Sequence, residues 1–210
     1  MTSVTLNEAQ LSGSLPTALQ GLGRLTALNF ESNKISSSIP DAMCSLTALQ
    51  SLNLNYNRLS GALPSCLGQL RAMRELSLGG NKLTGQLPAS LAQMTRLESI
   101  TLCFNKISGV LPSALGQLSR LTTLWMSNNA LEGELPRSLC DLHSLKRLYM
   151  TSNFITVSII ACCVLLPSLI THIGHVTVVF RYIVFAEHHR SVVQCFDGPV
   201  AAVDTRLVAN

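Results

Sequence analysis

The sequence predicts an α/β solenoid: stacked turns with one concave parallel β-sheet and short 3₁₀ or irregular segments on the convex side. Three observations carry this. Six asparagines, Asn33, Asn57, Asn81, Asn105, Asn129 and Asn153, stand 24 residues apart without a slip. Each sits in one frame, L-x-L-x-x-N-x-L, followed in most turns by S/T-G-x-L-P. One turn reads Leu52, Leu54, Asn57, Leu59, Ser60, Gly61, Leu63, Pro64. A fixed period of about 20–50 residues marks stacked repeats, each burying its apolar face only against its neighbours.

Each element of the turn has a physical reason. The alternating Leu at the start of the frame describes a short strand whose apolar side chains enter the core. At the next bend, inward-turned backbone leaves polar groups in need of partners. The Asn amide offers both a donor and an acceptor, and an unpaired buried group costs about 1–3 kcal/mol. Gly61, Gly85, Gly109 and Gly133 permit a tight bend, and the Pro three residues later stiffens an extended stretch. The series Leu115, Leu118, Leu121 places an apolar residue every third position, which suits a 3₁₀ turn.

Repeats start at Val4, Leu28, Leu52, Leu76, Ile100, Leu124 and Leu148. The first has Ala9 where the asparagine belongs. The last keeps Leu148, Met150, Asn153 and Ile155, then reads Val157-Ser158-Ile159-Ile160 in place of the Gly and L-P signals. A solenoid over residues 4–156, about seven repeats with the first and last partial, is therefore expected, with residues 157–210 as a separate hydrophobic tail.

That tail is of different composition. From Phe154 to Phe180 there is no Asp, Glu, Lys or Arg, and about 20 apolar residues are enough to cross a bilayer. A transmembrane helix near 154–180 is one expectation, with Arg181 and Arg190 placing the C-terminus in the cytoplasm. Pro167, His172 and His175 weigh against it. A cap on the solenoid, or a non-native or disordered tail, are the other two.

Net charge is +4, and residues 1–153 hold twelve Lys/Arg against eight Asp/Glu. Arg24, Arg71, Arg74, Arg96 and Arg120 are spread along the repeats. Nucleic-acid readers concentrate basic residues on one face, so no nucleic-acid partner is expected. The seven cysteines contain no C-x-x-C pair. Cys44 and Cys140 share a repeat position four turns apart, while Cys44 and Cys66 stand in neighbouring turns but different columns. Isolated thiols serving as small hydrophobes are expected. No basic and apolar leader precedes the first repeat, and no N-x-S/T sequon occurs.

The segments Leu83-Thr84-Gly85-Gln86-Leu87-Pro88 and Leu131-Glu132-Gly133-Glu134-Leu135-Pro136 resemble the S/T-G-x-L-P, plant-type subclass of leucine-rich repeat. That subclass is familiar from ectodomains of plant receptor-like proteins and kinases. The L-P-A-S-L wording is similar to kinetoplastid and other protist surface antigens. The resemblance covers residues 4–156 and implies a leucine-rich repeat solenoid serving recognition, with a protein or glycan ligand on the concave face and no cofactor. It implies a receptor-like protein at the membrane or cell surface. A soluble cytoplasmic scaffold, or a fragment of a larger receptor or surface antigen, is the alternative. Two departures stand out: no cysteine-paired cap precedes Val4, and the chain carries no H-R-D or D-F-G kinase segment.

Outward positions of the strands form columns across the turns. Trp125 and Tyr149 fall side by side, with Phe104 near and Arg147 alongside; Tyr56 shares the column of Phe104. Aromatics and Arg on a polar sheet compose binding hot spots, so Trp125, Tyr149, Phe104, Arg147 and Tyr56 are the expected ligand-binding residues. The bland alternative is that they cover an exposed edge near the end of the stack. No catalytic grouping stands out. His143 reads as a loop histidine, and Cys162, Cys163, His172 and His175 lack the spacing of a zinc site.

Overall fold

The computed structural model describes residues 2–18, 20–157 and 177–178. The alternating apolar positions form strands Ser3–Thr5, Ala27–Asn29, Ser51–Asn53, Glu75–Ser77, Ser99–Thr101, Thr123–Trp125 and Arg147–Tyr149, which make one seven-stranded parallel sheet in chain order. Its register is the sequence period itself. Val4 faces Leu28, Leu28 faces Leu52, and so on to Leu124 facing Leu148.

A second parallel sheet adds to what the pattern predicts. The stretch after each asparagine pairs with its equivalent in the next turn, giving strands Ser12–Ser14, Lys34–Ser37, Arg58–Gly61, Lys82–Gly85, Lys106–Gly109, Ala130–Glu134, Phe154–Val157 and Thr177–Val178. From Ser12–Ser14 to Phe154–Val157 partners differ by 22 residues, not 24: Arg58 faces Ser36 and Lys82 faces Ser60. Pairing satisfies backbone groups that would otherwise be stranded.

After Pro40, Pro64, Pro88, Pro112 and Pro136 the chain enters a five-residue 3₁₀ turn, Asp41–Ser45, Ser65–Gln69, Ala89–Gln93, Ser113–Gln117 and Arg137–Asp141, and after Pro16 a shorter one, Gln20–Leu22. The preceding prolines hold extended dihedrals, such as φ −63° and ψ 135° at Pro64. Proline fixes φ near this value and needs no donor there. Leu28, Leu52, Leu54, Leu59, Leu67, Leu70 and Met73, with their equivalents, form one buried cluster reaching Ile155.

The asparagines stitch the bends. Asn105 Nδ2 donates to Leu78 O at 3.0 Å and Leu102 O at 3.1 Å, while its Oδ1 accepts the Leu83 N–H at 2.9 Å. Asn33, Asn57, Asn81, Asn129 and Asn153 repeat this pattern, each accepting from a backbone N–H 22 residues earlier. Gly109 sits at φ +75°, where a side chain would be strained and where a Cβ would press on Gln86.

One expectation needs correction. Cys44 and Cys66 are not isolated thiols. They form a disulfide, with Cα atoms 5.8 Å apart, because the 3₁₀ turns stack with a 22-residue offset that brings these two positions together. Within the apolar segment near 154–180, the described residues are strand. Phe154–Val157 pairs with Glu132–Glu134 on one side and with Thr177–Val178 on the other. The frame of Asn153 and Ile155 still governs those residues. Among the described residues no helix is long and apolar enough to cross a membrane. Residues 158–176 and 179–210, including the expected cysteine and histidine positions of the tail, lie outside the described residues.

Candidate functional site

On the seven-stranded sheet the alternation that buries Leu124 turns Trp125 outward: Leu124 is wholly buried and Trp125 is 38% exposed. Parallel register sets Trp125 opposite Tyr149 and Thr123 opposite Arg147. The two rings meet with centroids 5.5 Å apart and planes tilted by 53°, a favoured aromatic geometry. Arg147, two residues before Tyr149 on the same strand, shares its face and is exposed.

Phe104 joins from the turn before. It is 52% exposed, and its N–H donates to Ser127 O, which ties it beside the strand that carries Trp125. Tyr56 stands apart, two turns before Phe104, 59% exposed. Its ring lies over Gly80, where a Cβ would come within 2.6 Å of Tyr56 Cδ1. The expected residues thus divide: Trp125, Tyr149, Arg147 and Phe104 share one region, and Tyr56 belongs to another.

Backbone conformation singles out two of these aromatics. The position before the conserved-frame asparagine is left-handed in every full turn: Ser32 at φ 55°, Tyr56 at 53°, Gly80 at 65°, Phe104 at 54° and Asn128 at 57°. Gly, Asn and Ser tolerate this region far better than bulky aromatics.

Toward the N-terminal turns the sheet carries acid. Glu31 Oε2 accepts from Asn53 Nδ2 at 3.0 Å, and Glu75 Oε2 accepts from Ser51 Oγ at 3.3 Å. Arg74 and Glu98 form an exposed ion pair. Cys103 lies buried just beneath the face, and burial pushes its thiol pKa up, partly offset by a backbone hydrogen bond. A protonated, enclosed thiol is a poor nucleophile. Among the described residues no group of His, Cys, Asp or Glu is arranged to hold a metal.

One feature of the second sheet escaped the sequence reading, which took basic residues as dispersed. Lys34, Arg58, Lys82 and Lys106 each open one of its strands, so the stack gathers them into one column. The signal was present in the sequence as a Lys or Arg directly after four successive frame asparagines.

Residues 1–59, 48–107 and 95–155 match the leucine rich repeat family profile. No curated protein matches the chain. Among solved structures, it is similar to the plant peptide hormone receptor RGFR1 in complex with RGF2, at 32% identity and TM-score 0.72. That match covers 73% of this chain and 24% of the receptor. It is also similar to the ectodomain of the membrane receptor kinase GASSHO1/SCHENGEN3 from Arabidopsis thaliana in complex with Casparian strip integrity factor 2. There identity is 34% and TM-score 0.70, over 71% of this chain and 18% of that one. A plant ice-binding protein, 24% identical with TM-score 0.68 over 79% of this chain and 62% of that one, shares the fold. The chain thus spans about a quarter or less of these two receptor structures.

Proposed function

Because the chain belongs to the leucine-rich repeat family, we propose that it is a non-enzymatic recognition module. It binds a protein or peptide ligand on the seven-stranded sheet, around Trp125 and Tyr149. The observation that carries this reading is the exposed Trp125–Tyr149 pair on a rigid sheet, with Arg147 and Phe104 beside it. Aromatic and Arg side chains held in place by a scaffold lose little entropy on binding. Support comes from RGFR1 and GASSHO1/SCHENGEN3, whose structures contain RGF2 and Casparian strip integrity factor 2.

The compartment proposed is the cell surface or outside it. The Cys44–Cys66 disulfide supports this, since such bonds persist in oxidising environments and are rare in the cytosol. The finer kinship, to the S/T-G-x-L-P subclass and to protist surface antigens, rests on the wording of the repeats, such as Leu87-Pro88-Ala89-Ser90-Leu91. Membrane association through residues 157–210 rests on the charge-free run from Phe154 to Phe180 alone.

Selection of a displayed random-peptide library on the full chain tests the ligand site. Enriched peptides are expected to lose binding to Trp125→Ala and Arg147→Ala. Peptides that bind these variants as well as the wild type would place recognition elsewhere.

A further inference from the structure

The column of cations on the second sheet is a second surface, bordering the Trp125 region at Phe104, with its own chemistry. Lys34, Arg58, Lys82 and Lys106 are exposed, and each lies across the parallel ladder from a hydroxyl residue. Lys34 faces Ser12, Arg58 faces Ser36, Lys82 faces Ser60 and Lys106 faces Thr84. Within a strand the cation and the next hydroxyl are two residues apart, on the face opposite the buried Ile35, Leu59, Leu83 and Ile107. The result is a lattice alternating positive charge with hydroxyl along four turns. Successive cations lie on the diagonal of the ladder, roughly 7–8 Å apart.

No carboxylate interrupts this lattice. The four strands contain no Asp or Glu, and among the described residues the ion pair is Arg74–Glu98, away from it. The stripe stops at the next strand, Ala130–Glu134, which replaces the cation with Ala130 and adds exposed Glu132 and Glu134. Two exposed aromatics border the stripe: Tyr56 two residues before Arg58, and Phe104 two residues before Lys106.

We propose that this face binds a carboxylated polysaccharide, a polyuronate chain lying along the stack. Such a polymer repeats one carboxylate and several hydroxyls on every sugar, which the cation and hydroxyl columns complement, and its C–H faces suit the rings of Tyr56 and Phe104. Four cations at this spacing give a modest charge density, and most of the polar surface between them is hydroxyl. That balance favours a sugar polyanion over a nucleic acid, whose recognition is dominated by dense phosphate contacts. The disulfide in the same turns, Cys44–Cys66, fits an oxidising compartment.

The test uses the full chain and a short, fluorescently labelled oligogalacturonate, followed by anisotropy. Binding is expected to weaken steeply as salt rises and to vanish when the probe's carboxyls are methyl-esterified. The fourfold variant Lys34→Gln, Arg58→Gln, Lys82→Gln, Lys106→Gln is expected to bind at least about tenfold more weakly, because each lost cation removes one released counterion. A control removes the same charge elsewhere: Arg24→Gln, Arg71→Gln, Arg96→Gln, Arg120→Gln, all exposed and outside the second sheet. It is expected to bind as the wild type does, as is Trp125→Ala, so failure of this proposal and of the peptide site read out separately. Should the fourfold variant fail to fold, Lys82→Gln and Lys106→Gln singly carry the test, each with a several-fold loss. Equal losses in both fourfold variants, undiminished binding of the esterified probe, or tighter binding of a single-stranded nucleic acid or polyglutamate would overturn the proposal.

Discussion

Asn105 reaches back 27 residues to the carbonyl of Leu78, Nδ2 to O at 3.0 Å, and so ties each turn to the one before it. The same amide receives the Leu83 N–H at 2.9 Å. Replacing it with alanine strands partners in two turns where water cannot readily reach. Asn105→Ala is expected to destabilise by about 1–3 kcal/mol, measured by urea unfolding. A neutral result would show that the stack holds without its amide stitches.

The Cys44–Cys66 bond closes a loop of 22 residues in sequence separation. Cross-linking a loop of this size restricts the unfolded chain and stabilises by about 3 kcal/mol in the chain-entropy account. Cys66→Ser, or unfolding under reducing conditions, is expected to lower stability by roughly that amount. Peptide mapping without reductant should recover the linked pair. An unchanged midpoint under reduction would mean that the 3₁₀ turns are held by their leucines alone.

The frame made most of the fold legible. Leucines at fixed spacing dictate the 24-residue register of the first sheet, and Leu124 inward with Trp125 outward follows from strand alternation. What the columns hid was the shear between faces. Equivalent residues are neighbours on the first sheet, but on the second sheet residue i faces i+22. Cys44 therefore meets Cys66 and not its column-mate Gly68, and the disulfide was missed. The second sheet was hidden for a related reason: its strands are short and most carry a single buried side chain, too little alternation to announce a ladder. The cation stripe was obscured by counting charges along the chain, because stacking sets residues 24 apart on adjacent strands, diagonally across the ladder. Tyr56 was grouped with Trp125 from its column, yet the stack places it two turns before Phe104.

Phe104 holds φ 54°, a conformation costing a non-glycine residue about 1–2 kcal/mol. Glycine at the same position in the previous turn, Gly80, adopts it freely at the expense of greater unfolded-state entropy, about 0.5–1 kcal/mol. Phe104→Gly is therefore expected to leave stability within about 1 kcal/mol of wild type, or to raise it slightly. Leu102→Ala, two residues away and fully buried, is expected to cost about 2–5 kcal/mol. Comparing the two by thermal and urea unfolding checks whether the exposed ring is retained for binding. A large loss in Phe104→Gly would show that the ring packs as structure.

Trp125 is the chain's single tryptophan, so its own fluorescence reports on the site. The ring is part exposed and leans on Tyr149; truncation removes one aromatic pair, about 0.5–1.5 kcal/mol, and opens no cavity. Trp125→Ala is thus expected to cost about 1 kcal/mol, against about 2–5 kcal/mol for Leu124→Ala beneath it. In the intact chain, a ligand seated on the sheet should cover the indole, shift its emission to the blue and protect it from iodide quenching. Tyr149→Ala should weaken that ligand without unfolding the last turns, because Leu148 and Met150, not Tyr149, fill the core there. If Trp125→Ala unfolds the chain as readily as Leu124→Ala, the ring belongs to the core. If ligand binds while the indole stays accessible to iodide, the Trp125–Tyr149 pair is not the site.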